Sequence, residues 1–293
     1  MIENGRPQRD LERWCTVEGN TFRYLTTGSG PPIIFLHGLL GFSFSWRHNL
    51  KRLSEFGTLY AIDSLGAGYS DHPCPLDCGL RAQAQRLLKL MDVLAIESAA
   101  IVGNSHGGAV GMMAAALSAD RGKPRVNRLL LVGPVHPWAE YEWRQKLLID
   151  CPPALTLFGP LLLRSKLLQI VFLRRLYGDP RRVTADTIEG YTAPLPIAGT
   201  LEYGTGVVKA WRNDLRELER LSPHLLKIPA MVVWGTEDHA VRIESAARLC
   251  EVFEDCELIP IPGAGHMPME ETPALFNAAA TRFLSAKCSG GHC

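Results

Sequence analysis

Short apolar runs, each closed by turn-forming residues, recur along the chain. IIFL (33–36) sits between the turn cluster GSGPP and HG, and LYAID (59–63), AAIVG (99–103), RLLLVG (128–133), AMVVWG (230–235) and CELIPI (256–261) repeat the pattern. Continuous runs of this length predict strands buried on both faces of a sheet. TFRYLT (21–26) predicts one more strand. Between several of them lie helix-like stretches, such as LRAQAQRLLKLMDVLA (80–95) and ALFNAAATRFLSA (274–286). Buried strands alternating with amphipathic helices predict an α/β fold, a mostly parallel sheet with helices on both faces. The rhythm lapses over 134–211, where helical apolar stretches and the aromatics Trp138, Tyr141 and Trp143 replace it. A helical insertion is expected there. The predicted organisation is a first core part (1–133), a helical cap (134–211), a second core part (212–286) and a flexible tail (287–293).

One strand ends in unusual company. AAIVG runs into Asn104-Ser105-His106-Gly107-Gly108 and then into the small-residue helical run AVGMMAAALSA. A tight strand-to-helix turn pushes its central side chain out at the carboxyl edge of the sheet, and Gly103 and Gly107 fall where a Cβ would crowd the turn. The helix start also supplies free backbone N–H groups beside the serine oxygen. A serine hydroxyl needs a base to attack, and the base needs an orienting carboxylate. In hydrolases built on this elbow the order along the chain is Ser, then Asp or Glu, then His. Asp238 follows the strand AMVVWG and His266 follows ELIPI, so both stand past buried strands in that order. Glu237 is the neighbouring rival for the acid, and a helix N-cap is a rival role for Asp238. His106 and His239 are rivals for the base, although His106 adjoins the serine, where its ring cannot readily turn back. Oxyanion donors are expected from the backbone N–H of His106 and from the loop His37-Gly38-Leu39-Leu40-Gly41, where Leu39 N–H is assigned. His37 is then expected to organise that loop.

These matches resemble the α/β-hydrolase superfamily, in its group with an HG-x-x-G oxyanion loop and a G-x-S-x-G elbow. DSLGAGYSD (63–71) looks like the family's D-x-x-G-x-G-x-S-D loop, and GTEDHAV has its G-x-x-D-x-x-V form. The resemblance covers roughly 17–133 and 212–286 and leaves the helical insertion as the variable cap. It implies a serine hydrolase with Ser105 as nucleophile, Asp238 as acid and His266 as base, needing no metal or organic cofactor. Haloalkane dehalogenases and epoxide hydrolases of the superfamily would require Asp where Ser105 stands. Carbon–carbon bond hydrolases of ring-cleavage products use serine, and their elbow can read G-N-S-x-G-G as here. They commonly carry Trp after the histidine, whereas this chain has Met267-Pro268. They also hold a substrate carboxylate with a basic residue, for which Arg174, Arg175, Arg181, Arg182 and Lys209 are cap-region candidates.

The leading expectation is a carboxylesterase-like enzyme acting on small to medium apolar acyl esters. A carbon–carbon bond hydrolase and a hydrolase-like binding or receptor protein with little turnover are the alternatives. Phe42, Trp138 and Trp143 are candidate pocket residues, with core packing the plainer role for Phe42. Composition narrows the partners: a formal net charge of +1 sets up no field toward nucleic acid. The N-terminus lacks the apolar core of a secretory leader, and charges within the apolar stretch 153–178 argue against a membrane span. A cytoplasmic enzyme with reduced thiols is therefore expected from the eight cysteines. Neither His72, Cys74 and Cys78 nor Cys288, His292 and Cys293 has the spacing of a zinc site.

Overall fold

A computed structural model describes residues 2–3, 6–139 and 165–286 of the chain. Ile2–Glu3 pairs with Arg6–Pro7 in a separate two-residue ladder. The main sheet has eight strands: β1 (Glu12–Val17), β2 (Asn20–Thr27), β3 (Pro32–Leu36), β4 (Thr58–Ile62), β5 (Ala99–Asn104), β6 (Val126–Val132), β7 (Ala230–Gly235) and β8 (Cys256–Ile261). They lie in the order β8-β7-β6-β5-β3-β4-β2-β1. β3 to β8 pair in parallel, and β2 runs antiparallel to both β1 and β4.

The predicted strands all form, the inner ones because their side chains are needed on both faces. CELIPI, expected to be buried on both faces, is instead the edge strand β8, in which only Ile261 is buried, because no further strand lies beyond it to cover its outer side. Ile34, Leu36, Leu129, Leu131 and Val232 point into one core, with α2 (Leu80–Val93) and α3 (His106–Asp120) over it. Ile33, Phe35, Leu130, Val132 and Val233 point into the other, under Phe42, Trp46 and α9 (Pro273–Ser285). Alternation along each strand thus feeds two layers, which a strand polar on one side could not do. α3 is buried along nearly its whole length, and its glycines and alanines let it lie close against the sheet.

β1 is an addition to the predicted sheet. It is an edge strand whose side chains are half wet, with Trp14 43% exposed. Its ERWCTV sequence therefore lacks the continuous apolar run that marks the inner strands. A second difference concerns the thiols: Cys250 and Cys256 form a disulfide where reduced cysteines were expected. Helix α7 (Ala246–Cys250) ends and the chain turns back into β8, leaving the two Cα atoms 5.5 Å apart, within the span of a disulfide.

The region predicted to be helical holds α4 (Lys166–Leu176), α5 (Ala185–Thr192) and α6 (Thr200–Leu221) among its described residues. Tyr141, Trp143, Cys151 and residues 153–164 of the apolar stretch 153–178 lie outside the described residues, as does the tail 287–293. The boundary expected after Trp211 falls inside α6. Tyr203, Val207 and Leu218 keep one apolar face turned inward along that helix, so nothing interrupts it at residue 211. Among the described residues, no helix is long and apolar enough to cross a membrane.

Strand order also sets where a site can form. β3 lies between β4 and β5, so the chain leaves β3 toward one edge of the sheet and later returns on its other side. At such a switch point the loops after β3 and β5 diverge and open a crevice at the carboxyl ends of the strands. HGLLG follows β3, and Ser105 follows β5.

Candidate active site

Ser105 joins β5 to α3 with φ 53° and ψ −118°, a conformation an L-residue adopts only under constraint. The constraint is visible in hydrogen bonds. Ser105 N–H donates to Val132 O at 2.9 Å, while its own carbonyl accepts from Gly108 N–H and Val135 N–H, both at 3.0 Å. The tight turn leaves no room for side chains on either flank. A Cβ on Gly107 would lie 2.4 Å from Leu36 O, and one on Gly103 would lie 2.6 Å from Gly107 O. His106 is the first residue of α3, so no earlier carbonyl of the helix is available to its N–H.

The loop after β3 closes on itself beside this turn. Gly41 N–H donates to Gly38 O at 3.0 Å, and His37 Nδ1 lies 2.8 Å from the same oxygen. Ser64 N–H donates to His37 Nε2 at 3.1 Å. Nε2 is therefore the acceptor and Nδ1–H the donor, so His37 is a neutral staple across the loop. Burial lowers its pKa, which agrees with that state. The backbone then turns at Leu40, with φ 57°. Neighbouring DSLGAGYSD is held by Asp63, whose carboxylate accepts from Ser43 N–H, Tyr69 N–H and Arg23.

The two other predicted residues meet. His266 Nδ1 lies 2.8 Å from Asp238 Oδ2, and Asp238 Oδ1 accepts from Ala240 N–H at 2.8 Å and Val241 N–H at 3.0 Å. The carboxylate is thus fixed on one oxygen by backbone and offers the other to the imidazole. Glu237 is exposed, as is His239. Asn104, beside Ser105, connects the two halves: its Nδ2 donates to Val132 O at 3.0 Å and to His266 O at 3.3 Å. Ser105, Asp238 and His266 are all buried.

The candidate pocket residues separate. Phe42 is 0% exposed and packs against Phe44, Tyr69 and Tyr191, so it supports the HGLLG loop from within the core instead of standing at a pocket wall. Trp138 is partly buried, its ring 6.1 Å from His136. Arg174, Arg175, Arg181, Arg182 and Lys209 are all exposed.

Sequence patterns did not single out the glutamates of HMPMEE. Glu271 accepts from Gly265 N–H at 2.7 Å and Gly178 N–H at 2.9 Å, and His266 N–H donates to Leu176 O at 2.7 Å. The histidine loop is therefore bound to the end of α4. Glu270 is buried with Tyr177, Tyr191 and Arg47 around its carboxylate. Two adjacent glutamates nine and ten residues beyond the strand ending at Ile261 were the available signal, but exposed acids at a helix start give the same one.

His136, beyond β6, is also wholly buried. Ser245 O–H donates to Arg242 O at 2.9 Å, which leaves Ser245 Oγ to accept from His136 Nε2 at 3.1 Å. The ring is neutral, and burial, aided by Arg248, pushes its pKa down to about 3. The unfolded chain binds a proton here below its ordinary value while the fold does not, so stability falls as pH drops. Going from about pH 7.5 to about pH 5, this residue should cost the wild type about 2 kcal/mol. Urea unfolding of His136→Gln at both pH values is expected to show a pH dependence smaller by that amount. An unchanged difference would mean that the ring is charged in the fold.

The sheet order, the strained Ser105 and the Asp238–His266 couple define a hydrolase architecture. The chain belongs to the alpha/beta hydrolase family, whose model matches residues 33–279. It is similar to haloalkane dehalogenase 2 of Mycobacterium tuberculosis, at 27% identity over 91% of this chain and 92% of that protein. It is similar also to a 2-hydroxy-6-oxo-6-(2'-aminophenyl)hexa-2,4-dienoic acid hydrolase of Metapseudomonas resinovorans, at 26% identity over 94% of this chain and 92% of that protein. In fold it matches the solved structure of the epoxide hydrolase CorEH with a TM-score of 0.80, at 22% identity over 94% of this chain and 98% of that one.

Proposed function

We propose that this protein is a serine hydrolase that cleaves carboxylic esters of small to medium apolar acyl groups, with α4, α5 and α6 contributing a cap over the site. The observation that carries the reading is the residue at the elbow: Ser105 stands at φ 53° where the resemblance requires Asp for dehalogenase or epoxide hydrolase chemistry. In the first step Ser105 Oγ bonds to the acyl carbon while its proton passes to His266. Asp238 already occupies Nδ1, which leaves Nε2 to take that proton. Leu39 N–H and His106 N–H bind the oxyanion of the tetrahedral intermediate. His266 then protonates the departing alcohol oxygen as its bond to the acyl carbon breaks. Water, deprotonated by the same imidazole, releases the acid and regenerates Ser105.

Carbon–carbon bond hydrolysis is the second reading, supported by the G-N-S-x-G-G elbow and by likeness to the Metapseudomonas enzyme. The exposure of the five cap-region bases supports the ester reading against it, because a substrate carboxylate would call for a cation turned into the site. Initial rates on p-nitrophenyl esters from acetate to dodecanoate test the choice. Release that peaks at short or medium chains is expected. Negligible release across the series, with cleavage of a 2-hydroxy-6-oxohexa-2,4-dienoate, would transfer the assignment to the second reading.

A further inference from the structure

Helix α6 touches both segments that carry the candidate oxyanion donors, the HGLLG loop and the start of α3. On one side, Leu39 and Trp211 pack against a small cluster of Ala67, Cys78, Tyr203 and Val207, of which Tyr203 and Val207 belong to α6. Leu40, held at φ 57°, lies against the same helix. A Cβ placed on Gly204 would come within 2.8 Å of Leu40 Cδ2. The atom met is the end of the flexible Leu40 side chain, so α6 lies against that side chain and not against the loop backbone.

On the other side the contact is a chain of hydrogen bonds with one consistent proton assignment. The Trp211 indole can only donate, and its Nε1–H reaches His106 Nδ1 at 3.2 Å. His106 must then carry its proton on Nε2, which lies 3.1 Å from Gln83 Oε1. Tyr203 O–H donates to the same Gln83 oxygen at 3.1 Å, and Gln83 Nε2 donates to Cys78 O at 2.7 Å. His106, Gln83 and Tyr203 are all buried. Burial pushes the His106 pKa down to about 3, as a ring that accepts from an indole requires. The imidazole is thus clamped between α6 and α2, and its own backbone N–H follows Ser105 directly.

We infer that α6 is a positioning element for the oxyanion hole, with Trp211 holding His106 and the Tyr203–Val207 face packing against Leu39, while Gly204 leaves space for the Leu40 side chain. The inference rests on the serine-hydrolase reading above. It adds that helix packing, in addition to the core loops, sets where the two donor N–H groups point. Trp211 and Gly204 act through other residues and touch no reacting atom.

The test compares wild type, Trp211→Phe, Gly204→Ala, His106→Phe and the Trp211→Phe/His106→Phe double variant. Each is followed for ester turnover and for the rate of Ser105 labelling by a fluorophosphonate. Trp211→Phe keeps the ring and removes the N–H. It should lower kcat and the labelling rate about 10-fold with KM within about 2-fold, less than the ~100-fold of losing a donor outright. Gly204→Ala should lower both by less than that, because its Cβ meets only the movable end of Leu40. In the His106→Phe background the Trp211→Phe change should have no further effect, since its route is gone. An unchanged kcat in Trp211→Phe would overturn the inference, and so would a raised KM alone or an equal loss with and without His106. If Trp211→Phe fails to fold, Tyr203→Phe, which removes the other α6 hydrogen bond into this network, decides by the same kcat and labelling criteria. A wild type that neither turns over esters nor labels at Ser105 would instead overturn the parent reading.

Discussion

Ser105→Ala is expected to slow turnover of the best ester by about 10⁴- to 10⁶-fold, the range of nucleophile deletions in other serine hydrolases, with KM little changed. Asp238→Asn should fall by about 10⁴-fold for a different reason. Ala240 N–H and Val241 N–H both point at one oxygen of the Asp238 side chain. An asparagine would keep its carbonyl oxygen there and turn its NH2 toward His266 Nδ1. The imidazole would then carry its proton on Nε2 and could not take one from Ser105. Stopped-flow or steady-state kinetics on the two variants, with thermal unfolding to confirm the fold, check both. A Ser105→Ala protein that keeps wild-type rates would remove the serine from the mechanism.

Breaking the buried cluster around Glu270 should have the largest effect on stability. Arg47 Nη1 lies 2.7 Å from Glu270 Oε2, Tyr177 O–H donates to that oxygen at 2.8 Å, and Tyr191 O–H donates to the other. Arg47 also lies 4.0 Å from the centroid of the Phe44 ring. Arg47→Met retains bulk but leaves a buried carboxylate without its cation, which costs about 3–5 kcal/mol. For a chain of this size that is a fall in Tm of roughly 10 °C. The deficit should shrink at lower pH. Burial already raises the Glu270 pKa, and loss of Arg47 raises it further. As pH falls, the folded state takes up a proton that the unfolded chain does not hold, which favours the fold. Adding Glu270→Gln should restore much of the loss. If Arg47→Met melts like wild type at neutral pH, the cluster does not hold the elements together.

Tyr177 and Tyr191 come from the helical region between β6 and β7, and Glu270 comes from α8 (Pro268–Glu271), just past His266. The same cluster therefore binds that region to the histidine loop. Glu271 reinforces the arrangement through Gly178 and Gly265. None of this shows in local pattern, because partners such as Tyr177 and Glu270 are 93 residues apart in the chain. Their pairing depends on how the helices dock.

The inner sheet and the elbow were legible for local reasons. A parallel strand covered on both faces must be apolar at every position, and a strand-to-helix turn as tight as that at Ser105 requires glycine on either side. The edge strand β1 escaped because one wet face permits almost any composition. Phe42 shows the limit of pattern at the site itself. An aromatic just beyond the HGLLG loop fits a pocket wall and a core support equally well, and only its lack of exposure separates them.

The sequence by itself determined the two-layered α/β core, the constrained Ser105, and the order in which Asp238 and His266 follow it, since each depends on backbone sterics or burial within a few residues. Tertiary structure alone decided that His266 pairs with Asp238 and not with Glu237. It also decided that His106 serves as a clamped neutral ring, that α6 continues through residue 211, and that Glu270 ties distant tyrosines to Arg47. Those outcomes are choices of partner for polar side chains. A buried polar group must find a partner, but its own neighbourhood in the chain does not say which one folding will deliver.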